Sequence, residues 1–497
     1  MRQGHLVYDL AIALLRLLIR VFFRRAEIAG RERVPATGGG IVVAWHPNAL
    51  LDGCLILAHF PRPITFGARH GLFRWPVLGP LLRALRVVPV YRRQDFLDGA
   101  GGEDRRRGNE QSLDALARAV AGGGFVGLFP EGDSHDNPQP SRLRTGAARV
   151  YYRALELSAP GQPPPPLLPV GLHYDRKRLF GSSVLVAFHP PIELPRDLER
   201  PPSDGETPES AQERVRRLTA ILEDALGNVA HATESWDLHY AMHRARKLVR
   251  AERARRAGAG LGAPDMRERV LGFSRIWAGY AVHALRDPEG TRRLVDEVRR
   301  YDAELRALGV DDHELDGAPR LASPWLGAIL GVQAVLVYLL LPPILIIGYL
   351  VNLPTAGVVW SISRVASRKK KDEASIKLLL GAVAFPLTWL VVAALVAWGH
   401  STLTALYPSV AGSAALTGAS AFLLSAAGAW VALNYHRLAS QTLRALRVRL
   451  THLRRKDALK RLLEERARLH DGLTSLGAGL PLPARADPHG RVREGAG

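Results

Sequence analysis

The apolar positions of this chain follow two different patterns, which separate near residue 320. Before that point, short β-branched runs alternate with segments whose apolar residues recur at helical spacing. After it, residues 325–363 and 378–435 contain no Asp, Glu, Lys or Arg. The first pattern is typical of a water-soluble domain, and the second indicates segments that cross a membrane.

Short apolar runs in the first part predict buried strands, because each is β-branched and bounded by glycine, proline or charged residues. These runs are 38–46, 62–69, 86–93, 125–132, 167–174 and 183–192. Residues 109–124 between two of them have helical apolar spacing and end in three glycines. Strands that alternate with helices predict an α/β domain with a mostly parallel sheet flanked by helices, which we place at 35–200.

Residues 201–320 are predicted to form a helical linker. They contain two charged stretches with helical character, 207–256 and 265–310, separated by a glycine- and alanine-rich segment. A proline-rich stretch at 160–166 is predicted to be a loop within the preceding domain.

The apolar tracts at 324–436 predict three or four membrane spans, since one span needs about 20 residues. The second tract divides into 378–398 and 410–434 at a polar break. The first tract is either one long helix kinked at Pro342 and Pro343 or two short helices hinged there. The length of this tract without a charged side chain favours the two hinged helices, which would form a hairpin.

Basic segments on either side of these tracts predict their orientation. Residues 364–373 and 436–456 are strongly basic and should face the cytoplasm. A hairpin in the first tract then leaves residues 1–324 on the same side, whereas a single crossing places them opposite. Residues 437–480 predict a basic amphipathic helix, and residues 481–497 a disordered tail.

The N-terminal segment, residues 1–34, is predicted to contain an interfacial amphipathic helix. Residues 6–23 are long and apolar enough to resemble a span, but they contain Arg16 and Arg20. Each arginine would cost about 2.5–3.5 kcal/mol at the bilayer centre. A helix in the membrane surface, with its arginines at the headgroups, fits this pattern better.

Composition narrows the classes of partner. The formal net charge of +20, carried mostly by arginine, favours an anionic partner such as phospholipid headgroups, a phosphorylated substrate or nucleic acid. The membrane tracts and the lack of a nucleic-acid-binding motif argue against nucleic acid. The single cysteine, Cys54, excludes an intrachain disulfide and gives no zinc cluster.

The candidate chemistry begins where the first strand ends, at His46. Pro47 is suited to open a helix over 48–57, and a residue before proline avoids helical geometry. Positions six apart in one helix point about 120° away from each other, so His46 can reach Asp52 only from outside the helix. A carboxylate would then hold one ring nitrogen and leave the other basic at the carboxyl edge of the sheet. Alone, the pattern also fits a helix cap beside an exposed aspartate.

Three other strand ends or turns carry polar chemistry suited to a phosphorylated substrate. Arg92 and Arg93 close one strand and offer forked donors to phosphate. Glu131 follows another strand on a Pro-Gly turn, and Arg144 precedes a glycine that opens a helix, a favourable place for an anion. Each feature alone fits an ordinary surface turn, but their repetition at strand ends indicates a site.

These blocks, in this order over roughly 38–195, resemble the glycerolipid acyltransferases of the bacterial PlsC type. The blocks are His46-x5-Asp52, "VPVYR", "FPEG" and "LPVG". The family usually has four residues between the histidine and the aspartate. The spacing of five, together with "FPEGDSHD" at 129–136, resembles the branch of membrane-anchored glycerol-3-phosphate/dihydroxyacetone-phosphate acyltransferases known from yeast.

The resemblance implies a glycerolphosphate acyltransferase-like fold and a role for each matched residue. His46 would take a proton from the acceptor hydroxyl, and Asp52 would orient His46. Residues expected to bind the acceptor are Arg69, Arg92, Glu131, Gly132 and Arg144, and those expected to support the site are Asn48, Pro130 and His135. No metal or bound cofactor is expected, because the thioester of the acyl donor is already activated.

The implied reaction is transfer of a fatty acyl group from acyl-CoA or acyl-carrier protein to glycerol 3-phosphate or dihydroxyacetone phosphate in phospholipid biosynthesis. The implied setting is a bacterial inner membrane with the acyltransferase domain on its cytoplasmic face. Two alternatives stay open: a 1-acylglycerol-3-phosphate (lysophosphatidate) acyltransferase, and a non-catalytic membrane scaffold that binds anionic lipid. The sequence predicts neither the acyl chain nor the oligomeric state.

Overall fold

The computed structural model divides the chain into two compact units. It describes residues 2–75, 78–90, 102–201, 206–258, 262, 264–317, 323–366, 373–407, 409, 412–482, 484–486 and 492–494. The first unit covers residues 1–236, and the second covers 237–497 apart from 368–375.

A seven-stranded sheet forms the centre of the first unit. Its strands are β1 (Arg25–Ala29), β2 (Gly40–Ala44), β3 (Ile64–Arg69), β4 (Val88–Val90), β5 (Phe125–Leu128), β6 (Leu167–Tyr174) and β7 (Ser183–Phe188). Their order is β1-β7-β6-β2-β5-β3-β4. The five strands from β6 to β4 are parallel, whereas β7 pairs antiparallel with β6 and β1 pairs parallel with β7. The predicted mostly parallel sheet is confirmed.

Helices flank this sheet: α1 (Arg2–Phe22), α2 (Leu50–His59), α3 (Leu78–Ala84), α4 (Gly102–Ala121), α5 (Gly146–Leu157) and α6 (Pro208–Ala230). Apolar side chains of α4, α5 and α6 share one core with β2 and β5. Every residue of β2 is buried, as expected for a strand inside a parallel sheet that is covered on both faces. This burial fixes the strand that leads into His46.

Helix α1 is apolar on two faces. Leu15, Ile19 and Phe22 are buried in the protein, whereas an opposite stripe that includes Leu10 and Leu17 is exposed. The sequence places Arg16 at lipid headgroups, but its guanidinium donates to the carbonyl of Ala58 at the end of α2 (2.8 Å). Part of the arginine charge of α1 thus fastens it to α2.

Eight of the described α-helices lie wholly or almost wholly in the second unit. They are α7 (Trp236–Arg256), α8 (Met266–Arg286), α9 (Pro288–Leu308), α10 (Pro324–Val335), α11 (Leu341–Ala366), α12 (Glu373–Leu406), α13 (Ala414–Arg454) and α14 (Lys456–Ser475). Leucines of α14 pack into one core with α7, α9 and the end of α13. The predicted amphipathic helix over 437–480 is therefore divided between α13 and α14, which are separated at Arg455.

The first apolar tract forms a continuous helical segment, so the favoured hairpin at Pro342 and Pro343 is wrong. A π-helical turn, Leu336–Leu340, joins α10 directly to α11. Its wider hydrogen-bond pattern accommodates the missing N–H group of a following proline without a chain reversal. Helix α13 runs antiparallel to this segment, because Arg449 donates to the carbonyl of Ser323 and Asn352 to that of Ser425.

Two helices in the described part of the chain, α12 and α13, are long and apolar enough to cross a bilayer. The predicted total of three or four spans stays a prediction. In the tail, for which the sequence predicts disorder, the structure describes a short antiparallel pair of strands, β8 (Ala484–Ala486) and β9 (Val492–Glu494).

Candidate active site

The imidazole of His46 lies just beyond β2 and contacts the carboxylate of Asp52. The distance from His46 Nδ1 to Asp52 Oδ2 is 2.9 Å, which is the contact that the sequence predicts. An ionised carboxylate can only accept, so Nδ1 carries the proton and Nε2 is left as the basic nitrogen. The histidine side chain is 14% exposed and that of Asp52 is fully buried.

In the part of the chain that the structure describes, the buried carboxylate of Asp52 accepts from three donors. The backbone N–H of Asn48 donates to Oδ2 (2.7 Å), and the hydroxyl of Tyr174 donates to Oδ1 (2.5 Å). Burial raises the pKa of Tyr174 well above its ordinary value, and the charge of Asp52 raises it further. Tyr174 therefore stays protonated and remains a donor. The aspartate avoids the cost of an unpaired buried charge because both of its oxygens are satisfied.

The five-residue spacer between His46 and Asp52 delays the start of α2. The sequence predicts a helix over 48–57, but α2 spans Leu50–His59, so the predicted start is wrong. Ala49 takes φ 47° and ψ −131°, a conformation that a residue with a Cβ rarely adopts. The extra residue is accommodated there, and Asn48 stays outside the helix with its N–H directed at Asp52.

Phe129, which follows β5, packs face to face on the ring of His46. The ring centroids are 4.0 Å apart and the planes differ by 12°. This contact fixes the plane of the imidazole and excludes water from one of its faces.

Glu131 connects the loops around His46. One carboxylate oxygen accepts from the backbone N–H of His46 (2.6 Å), and the other accepts from that of Ser141 (2.7 Å) and contacts the ring of His135. The backbone N–H of His135 donates in turn to the carbonyl of His46 (3.1 Å). The carboxylate of Glu131 is thus buried and both of its oxygens have partners, with His135 beside it. The acceptor contact predicted for Glu131 and the supporting role predicted for His135 stay predictions.

Gly132 and Arg144 meet on the other side of this turn. Gly132 has φ 73°, and a Cβ there would lie 2.7 Å from Nε of Arg144, so the position suits glycine. The backbone N–H of Arg144 donates to the carbonyl of Pro130 (2.8 Å). Its side chain is exposed, and no acidic side chain in the described part of the chain pairs with it.

Of the two remaining predicted phosphate ligands, the structure describes only Arg69. Arg69 ends β3, is exposed, and stands opposite Val90 in the register of β4. Arg92, predicted as the main phosphate ligand, lies outside the described residues. Of the predicted site, the structure thus brings together the residues after β2 and β5 and places Arg69 at their edge.

Sequence reasoning missed the contribution of the segment after β6. The side chain of Asn48 donates to the carbonyl of Lys177 (2.9 Å), and the ammonium of Lys177 contacts the carbonyl of Pro47 and the carboxylate of Asp136. The signal was the continuation of the "LPVG" block into "LHY", which carries Tyr174 to the edge where His46 lies.

Cys54 lies two residues after Asp52 on α2 and is buried. Burial raises its pKa to about 12, and the nearby charge of Asp52 adds to the effect. No group of three or more His, Cys, Asp or Glu residues suited to a metal ion is found among the described residues.

Comparison with known proteins finds a family match in this part of the chain. A family model described as Acyltransferase matches residues 25–173. Glycerol-3-phosphate O-acyltransferases 1 and 2 of Saccharomyces cerevisiae are 21% and 25% identical to the chain over 78% and 55% of its length. These alignments cover 60% and 34% of the two yeast proteins.

A Schizosaccharomyces pombe protein described as an uncharacterized acyltransferase is 22% identical over 63% of this chain and 56% of its own length. The chain thus spans between about a third and three fifths of these relatives. A similar solved structure is the 1-acyl-sn-glycerophosphate acyltransferase PlsC from Thermotoga maritima, at 18% identity and a TM-score of 0.30, covering 45% of this chain and 82% of that one. The segment from β1 into β6, which carries His46 and Asp52, thus matches the Acyltransferase family model.

Proposed function

We propose that this chain is a membrane-bound O-acyltransferase that moves a fatty acyl group from an acyl thioester to glycerol 3-phosphate or dihydroxyacetone phosphate. The observation that carries the proposal is the imidazole of His46, held through Nδ1 by Asp52 at the carboxyl edge of the sheet. The two yeast relatives named glycerol-3-phosphate O-acyltransferases support this acceptor over lysophosphatidate.

His46 acts as the general base in this proposal. Its Nε2 removes the proton from the acceptor hydroxyl as the oxygen attacks the thioester carbonyl, and Asp52 stabilises the imidazolium that forms. The tetrahedral intermediate then expels the thiolate, which takes the proton back from His46. A positioned base of this kind contributes about 10²–10⁴-fold to the rate.

Arginines at the sheet edge bind the phosphate of the acceptor. Arg144 and Arg69 are exposed there, and Arg92 is the third proposed ligand. A hydrogen bond to a charged group is worth about 1.5–3 kcal/mol, enough for recognition of a small phosphorylated acceptor. Glu131 and Gly132 contribute by holding the turn from which Arg144 reaches the site.

The acyl donor is acyl-CoA or acyl-carrier protein, and a bilayer setting suits both the donor chain and the lipid product. Helices α12 and α13 support membrane residence. The exposed stripe of α1 supports contact with the bilayer surface, because Leu6, Leu10, Leu14, Leu17 and Val21 are between 48% and 61% exposed. The basic segments 364–373 and 436–456 favour the cytoplasmic side. A cytoplasmic active site at a bacterial inner membrane therefore requires that the continuous segment of α10 and α11 does not cross the bilayer, in keeping with α12 and α13 as the candidate spans in the described part of the chain.

The test is an acyl-transfer assay of the full chain in liposomes, with palmitoyl-CoA and three separate acceptors: glycerol 3-phosphate, dihydroxyacetone phosphate and lysophosphatidate. We expect turnover with the first two, and a kcat about 10²–10⁴-fold lower for His46→Gln. The matched control is His313→Gln at an exposed histidine, which should keep the wild-type rate.

Two results would overturn the proposal. Turnover with lysophosphatidate alone would make the chain a 1-acylglycerol-3-phosphate acyltransferase. Absence of transfer to all three acceptors, together with binding to anionic vesicles, would favour the lipid-binding scaffold.

A further inference from the structure

Tyr174 is the one side chain other than that of His46 that contacts the Asp52 carboxylate in the described part of the chain. Its hydroxyl lies 2.5 Å from Oδ1, whereas His46 contacts Oδ2 at 2.9 Å. The two carboxylate oxygens therefore have separate donors, and the carboxylate cannot rotate about Cβ–Cγ without breaking both contacts.

The backbone holds Tyr174 firmly in this place. It is the last residue of β6 and stands opposite Val184 in the antiparallel pairing with β7. The next residue, Asp175, donates its N–H to the carbonyl of Ser183 (2.9 Å), and the ring of Phe23 packs 6.1 Å from the tyrosine ring. The hydroxyl is therefore positioned before any substrate binds, as efficient catalysis requires.

We propose that Tyr174 is a positioning residue for the acyl transfer proposed above, on which this inference rests. Its hydroxyl fixes the carboxylate of Asp52, and Asp52 in turn fixes the ring and the basicity of His46. The tyrosine does not reach the reacting atoms itself. It acts on them through the aspartate.

The proposal predicts a direction for the pH dependence. The hydroxyl stabilises the Asp52 charge most when His46 is neutral, because an imidazolium would already neutralise that charge. Removing the hydroxyl therefore favours protonated His46 and moves the acidic limb of the kcat/KM profile to higher pH.

Other titratable groups near the pair are already engaged. Cys54 on α2 is buried and protonated, and both oxygens of Glu131 are occupied by backbone N–H groups. His135 contacts Glu131, and Lys177, from the loop after β6, is paired with Asp136.

The experiment compares Tyr174→Phe with Tyr151→Phe in the full chain. Tyr151, on α5, is also a buried tyrosine, and its hydroxyl has no partner in the described part of the chain, so it controls for the loss of a buried hydroxyl. We expect Tyr174→Phe to lower kcat about 10- to 100-fold, the worth of a hydrogen bond to a charged group, with little change in the acceptor KM. Tyr151→Phe should leave kcat and the pH profile unchanged.

A double-mutant cycle identifies the route of the effect. If Tyr174 acts through the aspartate, Tyr174→Phe should change kcat little once Asp52→Asn is present. Fully additive losses, an unmoved acidic limb, or an equal effect from Tyr151→Phe would overturn the positioning role.

A readout without turnover separates this proposal from the proposed function. Histidine-selective ¹⁵N labelling follows the titration of His46, whose signal is identified by its loss in His46→Gln. A higher His46 pKa in Tyr174→Phe, in a protein that transfers no acyl group, would support the positioning contact and overturn the function. Acyl transfer together with an unchanged His46 titration in Tyr174→Phe would support the proposed function and overturn the positioning role of Tyr174.

Discussion

The surroundings of a single residue, His46, are assembled from segments far apart in the chain. Asp52 comes from α2, Phe129 and Glu131 follow β5, and Tyr174 ends β6. Each contributes a different constraint: a charge, a ring plane, a fixed backbone and a fixed carboxylate. A proton acceptor of defined orientation results from their combination.

The sequence predicted the contact between residues that are close in the chain and missed the contact between residues that are far apart in it. His46 and Asp52 are six residues apart, so local geometry alone indicates their contact. Tyr174 and Asp52 are separated by 122 positions, and only the order of strands in the sheet brings them together. Glu131 was placed at the correct edge, but its backbone partners depend on loop conformations that residue types do not reveal.

Ala49 gives a prediction about stability, because its backbone is strained. Replacing it with glycine removes the Cβ that opposes φ 47°, a strain worth about 1–3 kcal/mol, against a cost of about 0.5–1 kcal/mol for the added freedom of glycine. We expect Ala49→Gly to raise the thermal midpoint of the full chain in a nonionic detergent.

The matched control is Ala58→Gly in α2, the helix that Ala49 precedes. Ala58 is buried in α2 and has ordinary helical geometry, so glycine there should lower the midpoint. Destabilisation by both variants would show that Ala49 is not strained in the way that its dihedral angles indicate.

At the scale of elements, the alternation of strands and helices predicted a mostly parallel sheet, but it did not predict the reversed edge. Strand β7 follows β6 after residues 175–182 only, and a parallel crossover needs about a dozen residues or more. The connection therefore requires an antiparallel pair. Strand β1 was missed because its five residues include Arg25 and Glu27 and lack a continuous apolar run.

Helices α11 and α13 approach closely through two glycines. A Cβ on Gly428 would lie 2.9 Å from the Cα of Gly348, and Asn352 one turn further donates to the carbonyl of Ser425 (3.1 Å). Small residues that allow backbones to approach, with polar side chains bonded across the contact, are typical of helix pairs in membranes.

This contact predicts opposite effects for two glycine-to-alanine changes in the pair of helices. Gly428→Ala should lower the thermal midpoint, because overpacking against a backbone atom costs about 1–3 kcal/mol. A Cβ added at Gly357 in α11 would meet no atom within 4 Å. Gly357→Ala should therefore stabilise the helix by about 1 kcal/mol through helix propensity and raise the midpoint. Equal shifts in detergent-solubilised protein would show that Gly428 is not at a close contact.

At the scale of the whole molecule, the second unit contains a buried ionic network. The fully buried Arg466 of α14 donates to Glu252 of α7 (3.0 Å) and to Asp316 (2.5 Å). Burial raises the pKa of Glu252, but hydrogen bonds from Arg255 and Arg256 and the charge of Arg466 outweigh it, so that the pKa falls from 4.5 to about 2. The network therefore depends on an ionised Glu252.

The lowered pKa predicts acid sensitivity of this unit. The folded chain keeps Glu252 ionised at lower pH than the unfolded chain does, so this stabilisation is complete above about pH 4.5 and is lost as the pH falls towards 2. Glu252→Gln should be destabilised at pH 7 by about 3–5 kcal/mol, because Arg466 loses a charged buried partner. The stability of this variant should depend less on pH below 4.5 than that of the wild type.

Thermal midpoints of wild type and variant between pH 7 and pH 3 provide the measurement. Glu289→Gln, at a side chain that is 83% exposed in the same unit, is the control and should follow the wild-type curve. Parallel curves for Glu252→Gln and wild type would show that Glu252 does not contribute to the loss of stability in acid.

The burial of Cys54 makes the chain suitable for mapping membrane sidedness by thiol labelling. We expect its thiol to react slowly with maleimides, because burial covers the thiol and raises its pKa, and the sequence has no other cysteine. A cysteine introduced at Ser409 or Arg455, both exposed, can therefore be labelled with an impermeant reagent in an otherwise native protein. Accessibility at these two positions from outside intact cells would assign each end of α13 to one face of the bilayer.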